Sequence, residues 1–352
     1  MGQVMGIGLT HAPHFQFPDE NMADLLRFRL RNPDTPAAMK DPANWPEPMR
    51  REWGDDEGLA AARAHRAELV RGFREARQAL EEFAPDIVLI WGDDQYENFK
   101  EDLVPPFCVY GLGDLDCHFF EQTYATTATT NVWNEPTDAV TRIRSDVDAA
   151  NLFAAGLMGK GFDVSYSYKL HHAAGLSHAF VRTMLYLDYD RKGWPWPVVP
   201  FHVNCYGSDL TAPDFIADGR SVVRTEQEFP RPPAPSPWRC YDLGKAVAEL
   251  AEASPWRVAL IGSSSWSHAF LTKKFPAGHA DVAADRALLE DLRAGRQHVW
   301  RDLDLETLRA AGQHEFLNWV CLAGAMEGRK AEVLSYGESY IFNSDKCVAV
   351  FR

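Results

Sequence analysis

Short apolar runs rich in β-branched residues recur along this chain, and most are separated by stretches with helical periodicity. The runs are Val4–Leu9, Ile87–Trp91, Phe107–Tyr110, Val164–Tyr168, Val198–Asn204, Val258–Ile261 and Cys347–Phe351. They are too short for helices, and most carry too few polar positions for a sheet with one wet face. Between them, Leu69, Phe73, Ala76, Leu80 and Phe83 repeat at helical spacing, and Pro85 stops that helix just before the next strand. Val147–Met158, Ala173–Leu187, Leu243–Ala253 and Ala283–Leu292 read as further helices. The alternation predicts an α/β fold, with a central, largely buried mixed sheet flanked by helices and long inserted loops.

Two stretches break the pattern. Asn32–Gly54 holds five prolines and two tryptophans and reads as a surface excursion. A second excursion, near 223–239, contains the stiff segment Phe-Pro-Arg-Pro-Pro-Ala-Pro-Ser-Pro-Trp at Phe229–Trp238. A chain of 352 residues is long enough for two domains. Neither stretch looks like a domain boundary, so a single domain over 1–352 is expected, with loops long enough to serve function.

Charge removes one class of partner. With 36 Lys+Arg against 50 Asp+Glu the formal charge is −14, and no basic run is present, so nucleic-acid binding is not expected. No run of about 18 apolar residues exists to cross a membrane. The first residues lack the basic and apolar regions of a secretory signal. The six cysteines form no Cys-x-x-Cys pair and read as reduced core thiols, so a cytoplasmic location is expected.

Familiar motifs fail one by one. Gly156–Lys160 lacks the spacing and the hydroxyl of a phosphate-binding loop. His314-Glu315-Phe-Leu-Asn318 has an asparagine where a zincin needs its second histidine. Gly262-Ser-Ser-Ser265 is not a nucleophile elbow and reads as a serine-rich turn capping a following helix. What remains is a set of polar residues at strand ends, where α/β proteins build their sites. They are Thr10-His11-Ala12-Pro13-His14, Gly92-Asp93-Asp94-Gln95, His171-His172 and Ser267-His268, together with Glu315 in the first turn of an amphipathic helix. A histidine and a distant carboxylate among them could share a metal with open positions, while further histidines move protons. Each residue also has a plainer reading. His14 can be simply buried, the aspartates can be turn or cap residues, and Glu315 can serve only the helix dipole.

The order of these motifs resembles the class III extradiol ring-cleaving dioxygenases, the superfamily of the protocatechuate 4,5-dioxygenase catalytic subunit. The segments that carry the likeness are Thr10–Pro13, Asp94-Gln95-Tyr96 before Pro105-Pro106-Phe107-Cys108, Val164-Ser165-Tyr166 leading to His172, Trp196–Pro200, Ser267-His268 and Glu315–Trp319. The spacing around Asp94 is similar to the 2,3-dihydroxyphenylpropionate 1,2-dioxygenase branch, where an Asp-His-Tyr segment precedes Pro-Pro-Phe-Cys. The resemblance implies Fe(II), or another divalent metal, held by His11, Glu315 and a second histidine whose position is filled by Gln95. Asp94 is the alternative ligand from the same turn. It also implies His172 and His268 as acid–base residues, a small catechol-like aromatic and O2 as substrates, and assembly into a homo-oligomer. Non-oxidative chemistry on the same scaffold and a non-catalytic binding role are the competing readings. Trp196, Trp266, Phe270 and Trp319 are candidate pocket walls.

Overall fold

The computed structural model describes residues 2–120, 126–208 and 231–352. The first half runs β1 (Gln3–Leu9), α1 (Asp24–Arg31), α2 (Ala37–Lys40), α3 (Glu47–Trp53), α4 (Leu59–Phe83), β2 (Ile87–Gly92), β3 (Phe107–Tyr110), β4 (Leu115–Cys117), β5 (Thr141–Ile143) and α5 (Val147–Gly159). The second runs β6 (Ser165–Ser167), α6 (His178–Leu187), β7 (Val198–Val203), α7 (Pro237–Ala253), β8 (Arg257–Ser263), α8 (Val282–Arg293), α9 (Leu305–Ala310), α10 (Leu317–Ala325), β9 (Ala331–Gly337) and β10 (Lys346–Phe351).

Period-two alternation sorts the central strands into two cores. Ile87, Leu89 and Trp91 of β2 pack with Phe153 of α5, Leu243 of α7 and Trp319 of α10, on one face of the sheet. Val88 and Ile90 pack with Phe73 of α4 and Met184 of α6, on the other. Burying a side chain of this size stabilises by about 1.5–3 kcal/mol, and a slip of one residue would exchange the two sets, so register is strongly held. Gly8 shows how close the layers come, because a Cβ there would lie 2.3 Å from the Trp319 indole.

The main sheet has the order β6-β3-β7-β2-β8-β1-β10-β9. Strands β1, β8, β2 and β7 run parallel, while β3 opposes β7 and β10 opposes both β1 and β9. The domain is therefore α/β with a mixed sheet covered by helices on both faces. The four parallel strands end at one edge, and that edge carries the site.

Several local expectations change. β9 carries the exposed Glu332 and is half-buried at Val333, Leu334 and Tyr336, as befits an edge strand, so its apolar signal was too diluted to stand out. Residues 32–54 are not a bare excursion. They hold α2 and α3, and Met39, Trp45 and Met49 are buried against the body of the protein. Of the second excursion, 223–230 lies outside the described residues, and α7 begins at Pro237. The helix expected from Ala173 starts only at His178. α10 is not amphipathic, because every one of its residues is buried. All six cysteines are buried and free. Among the described residues, no helix is long and apolar enough to cross a membrane.

Candidate metal centre

His11 lies just past β1, Asp93 just past β2, and Ser263 closes β8, so three neighbouring parallel strands deliver them to one place. The His11 imidazole is buried, with Nδ1 2.9 Å from Ser263 Oγ. Ser263 Oγ is itself 3.0 Å from the Ala179 carbonyl and 2.6 Å from Thr183 Oγ1. When the serine hydroxyl donates to Ala179, His11 Nδ1 carries the proton and its Nε2 lone pair is left to face the site. Ser263, the last residue of β8, thus holds the His11 ring in place, and Ser264 and Ser265 follow it. They cap no helix, since the next one begins only at Val282.

His178 reaches the same point from the start of α6. Its backbone N–H donates to Glu97 Oε1 at 2.9 Å, and its Nδ1 lies 2.8 Å from Glu97 Oε2. Glu97, from the loop after β2, therefore caps the helix and orients its first side chain together. Ser177 fastens the same junction by donating to the Asp93 carbonyl at 2.8 Å. This borrowed cap is why α6 begins at His178 and not five residues earlier. Burial lowers the His178 pKa, partly offset by Glu97. Burial alone would raise Glu97, but the adjacent imidazole brings it down to about 2.

His11, Asp93 and His178 are all buried, and one potential ligand atom from each lies within 4.8 Å of the others. The two imidazole rings meet edge to face at 4.9 Å. Asp93 Oδ1 accepts from Asn318 Nδ2 at 3.2 Å, whereas Oδ2 has no hydrogen-bond partner among the described residues. Burial, and then the nearby Glu315 carboxylate, push the Asp93 pKa well above its ordinary value. A buried acceptor of this kind costs free energy unless a cation or a proton meets it.

Glu315 stands beside this cluster, in a single 3-10 turn at His314–Phe316 that leads into α10. Its Oε2 lies 3.0 Å from His11 Nε2 and 3.5 Å from His268 Nε2. Burial would raise its pKa, but His268 and His11 hold it well below the carboxylate range. His268 is buried, which lowers its pKa, and its backbone N–H is tied to the Gly312 carbonyl at 2.9 Å.

The structure thus brings His11, Glu315 and His268 together, and it adds Asp93 and His178. Gln95 must be corrected. Its amide nitrogen faces inward, donating to Glu315 Oε1 at 2.8 Å and lying 2.9 Å from Tyr206 OH. An N–H donor cannot bind a metal, and the third member of the cluster is Asp93, two residues earlier. Asp94 turns its oxygens to the backbone N–H groups of Glu97 and Asn98, at 2.9 and 2.8 Å. His172 is exposed and pairs with Asp102 at 3.0 Å, outside the cluster, and neighbouring His171 is exposed as well. Trp266 and Trp319 are core residues, Trp196 packs against Arg77, and only Phe270 combines exposure with proximity to His268, at 5.3 Å between rings.

His178 and Glu97 were missed by sequence reasoning. The signal available was Ser177 ahead of a helical run, a helix-start cue that would have moved attention six residues past His172.

Residues 231–345 match the family described as the catalytic LigB subunit of aromatic ring-opening dioxygenase. A 2,3-dihydroxyphenylpropionate/2,3-dihydroxicinnamic acid 1,2-dioxygenase of Comamonas testosteroni is 25% identical over 237 residues, covering 67% of this chain and 59% of that protein. The Rhodococcus sp enzyme of the same name is 28% identical over 200 residues, covering 56% of this chain and 48% of its own. The chain thus spans about half the length of these curated relatives. Among solved structures, an uncharacterised Escherichia coli K12 protein aligns with a TM-score of 0.46 at 11% identity, covering 81% of this chain and 92% of that one. The family and relative matches support the likeness to class III extradiol dioxygenases, while the cluster of His11, Asp93 and His178 replaces the ligand set built on Gln95.

Proposed function

We propose that this chain is a non-haem Fe(II)-dependent dioxygenase that oxidatively opens a catechol-like aromatic ring with O2. The observation that carries this reading is the convergence of His11, Asp93 and His178 in a buried site where one Asp93 carboxylate oxygen has no hydrogen-bond partner among the described residues. Two imidazoles and a carboxylate are the donor set that suits iron(II) with positions open for substrate and oxygen. Glu315 is proposed as a further carboxylate donor. Its 3.0 Å separation from His11 Nε2 is what two adjacent ligands at about 2.1 Å from one ion would show.

Iron(II), when bound, supplies a Lewis-acidic and redox-active centre at which both catechol oxygens and O2 can meet. The protein residues hold that arrangement and handle protons. Ser263 and Glu97 fix the orientation of the two ligand imidazoles, as outer-shell partners of metal-bound histidines commonly do. His268, whose pKa burial lowers, is proposed to take a phenolic proton at Nε2 and to return it as the ring opens. Phe270 lies at the outer side of that imidazole, where an aromatic ring would be received. We assign no step to His172, because an exposed imidazole paired with Asp102 does not face the site.

The test is oxygen uptake by protein loaded anaerobically with Fe(II) and then given O2 and a panel of catechols. Stoichiometric O2 consumption with a ring-opened product is the expected result. Tight iron binding without O2 consumption on any catechol would defeat the dioxygenase reading.

A further inference from the structure

We propose that Tyr206 and Gln95 are positioning residues for Glu315, holding one carboxylate oxygen so that the other is aimed at His11 and His268. Tyr206 OH donates to Glu315 Oε1 at 2.5 Å, and the Gln95 amide donates to that same oxygen at 2.8 Å. The two donors also meet each other, at 2.9 Å. Glu315 Oε2, by contrast, receives neither of them and faces the two imidazoles at 3.0 and 3.5 Å. A carboxylate on a single 3-10 turn can rotate about its last torsion, and that torsion is broad. Two donors on one oxygen remove this freedom.

The phenol donor is itself held. Tyr206 is buried and stacks on His314, the residue before Glu315, at 5.5 Å between ring centroids. Its backbone N–H donates to Asn204 Oδ1 at 3.2 Å, and the Asn204 amide donates to the Gly207 carbonyl at 3.2 Å. Gly207 has φ +61°, and a Cβ there would strike the backbone of Ala234 at 2.6 Å, so only glycine lets this turn close. The turn after β7 is thus built to present a phenol to Glu315. The corrected role of Gln95 follows from the same geometry, since its nitrogen, not its oxygen, is the atom the site uses.

The consequence for metal affinity rests on the function proposed above, whereas the orientation itself does not. Two measurements separate them. The first is a metal-free crystal structure of the Tyr206→Phe/Gln95→Leu double variant. A turned or multiply oriented Glu315 carboxylate is expected, and a carboxylate unmoved from its wild-type orientation would overturn the proposal. The second is titration with Co(II), whose visible spectrum reports its ligands. Tyr206→Phe should weaken Co(II) binding about tenfold, at the low end of typical outer-shell effects, and alter the spectrum while the melting curve stays cooperative. Wild-type affinity and spectrum in the double variant would also overturn the proposal. Failure of the wild-type protein to bind any Co(II) or Fe(II) would defeat the metal reading instead, and the orientation seen in the metal-free structure would then decide this one.

Discussion

Two histidine–carboxylate pairs join the segments 93–102 and 171–178. His178 and Glu97 are 2.8 Å apart, with side chains 6% and 24% exposed. His172 and Asp102 are 3.0 Å apart, with side chains 35% and 57% exposed. The pairs are alike in chemistry and differ in surroundings. Water and salt screen the outer pair, which therefore contributes little, as exposed ion pairs generally do. The inner pair is tied to a helix start, and it stands buried beside His11 and Asp93. Burial beside His11 and Asp93, more than the presence of an acid partner, separates a candidate ligand from a surface histidine.

That contrast can be broken at its strong end first. His178→Ala, like His11→Ala, should weaken anaerobic Fe(II) binding by more than about 100-fold, beyond the usual outer-shell effect. Iron titration of each variant checks this, and unchanged affinity would remove that residue from the ligand set. Next in size, His268→Ala should keep the metal and the fold but lower turnover by about 10²–10⁴-fold, the usual contribution of a positioned proton-transfer group. Loss of iron in this variant would make His268 a ligand.

Glu97→Gln tests whether the carboxylate matters through His178. Iron affinity should fall about 10–100-fold, whereas Asp102→Asn should leave it unchanged. Acid stability sharpens the same comparison. Glu97 has its folded pKa lowered from 4.5 to about 2, so its contribution is complete above about pH 4.5 and is lost as pH falls through 2. Denaturant midpoints followed from pH 5 to pH 2 should therefore fall more steeply for the wild type than for Glu97→Gln. The smallest effect belongs to His172→Ala, which should match wild type in iron affinity and turnover. A large loss of turnover there would restore the acid–base role that the family resemblance implies for it.

The sequence made the scaffold legible because buried parallel strands leave a continuous apolar trace, and the residues following such strands are few. His11 could be singled out from the end of β1 and Ser267-His268 from the segment beyond β8. The choice between Asp93 and Asp94 was not legible, since adjacent acids at a strand end differ only in which way each side chain turns. One faces the cluster, and the other accepts backbone N–H groups of its own loop. His178 was hidden for a different reason. Its only local signal is Ser177 ahead of it, because the carboxylate that caps its helix comes from a loop 81 residues away. Gln95 drew attention by occupying a histidine's place in a family motif, but only the structure shows which end of its amide faces Glu315.

The central claim is that one ion sits among His11, Asp93 and His178. The most direct measurement is a crystal structure of protein loaded with Fe(II) without oxygen, with anomalous differences collected on either side of the iron edge. A single iron peak within bonding distance of His11 Nε2, His178 Nε2 and an Asp93 carboxylate oxygen is the predicted result. A peak bonded elsewhere, or an Asp93 side chain left outside the coordination sphere, would contradict it.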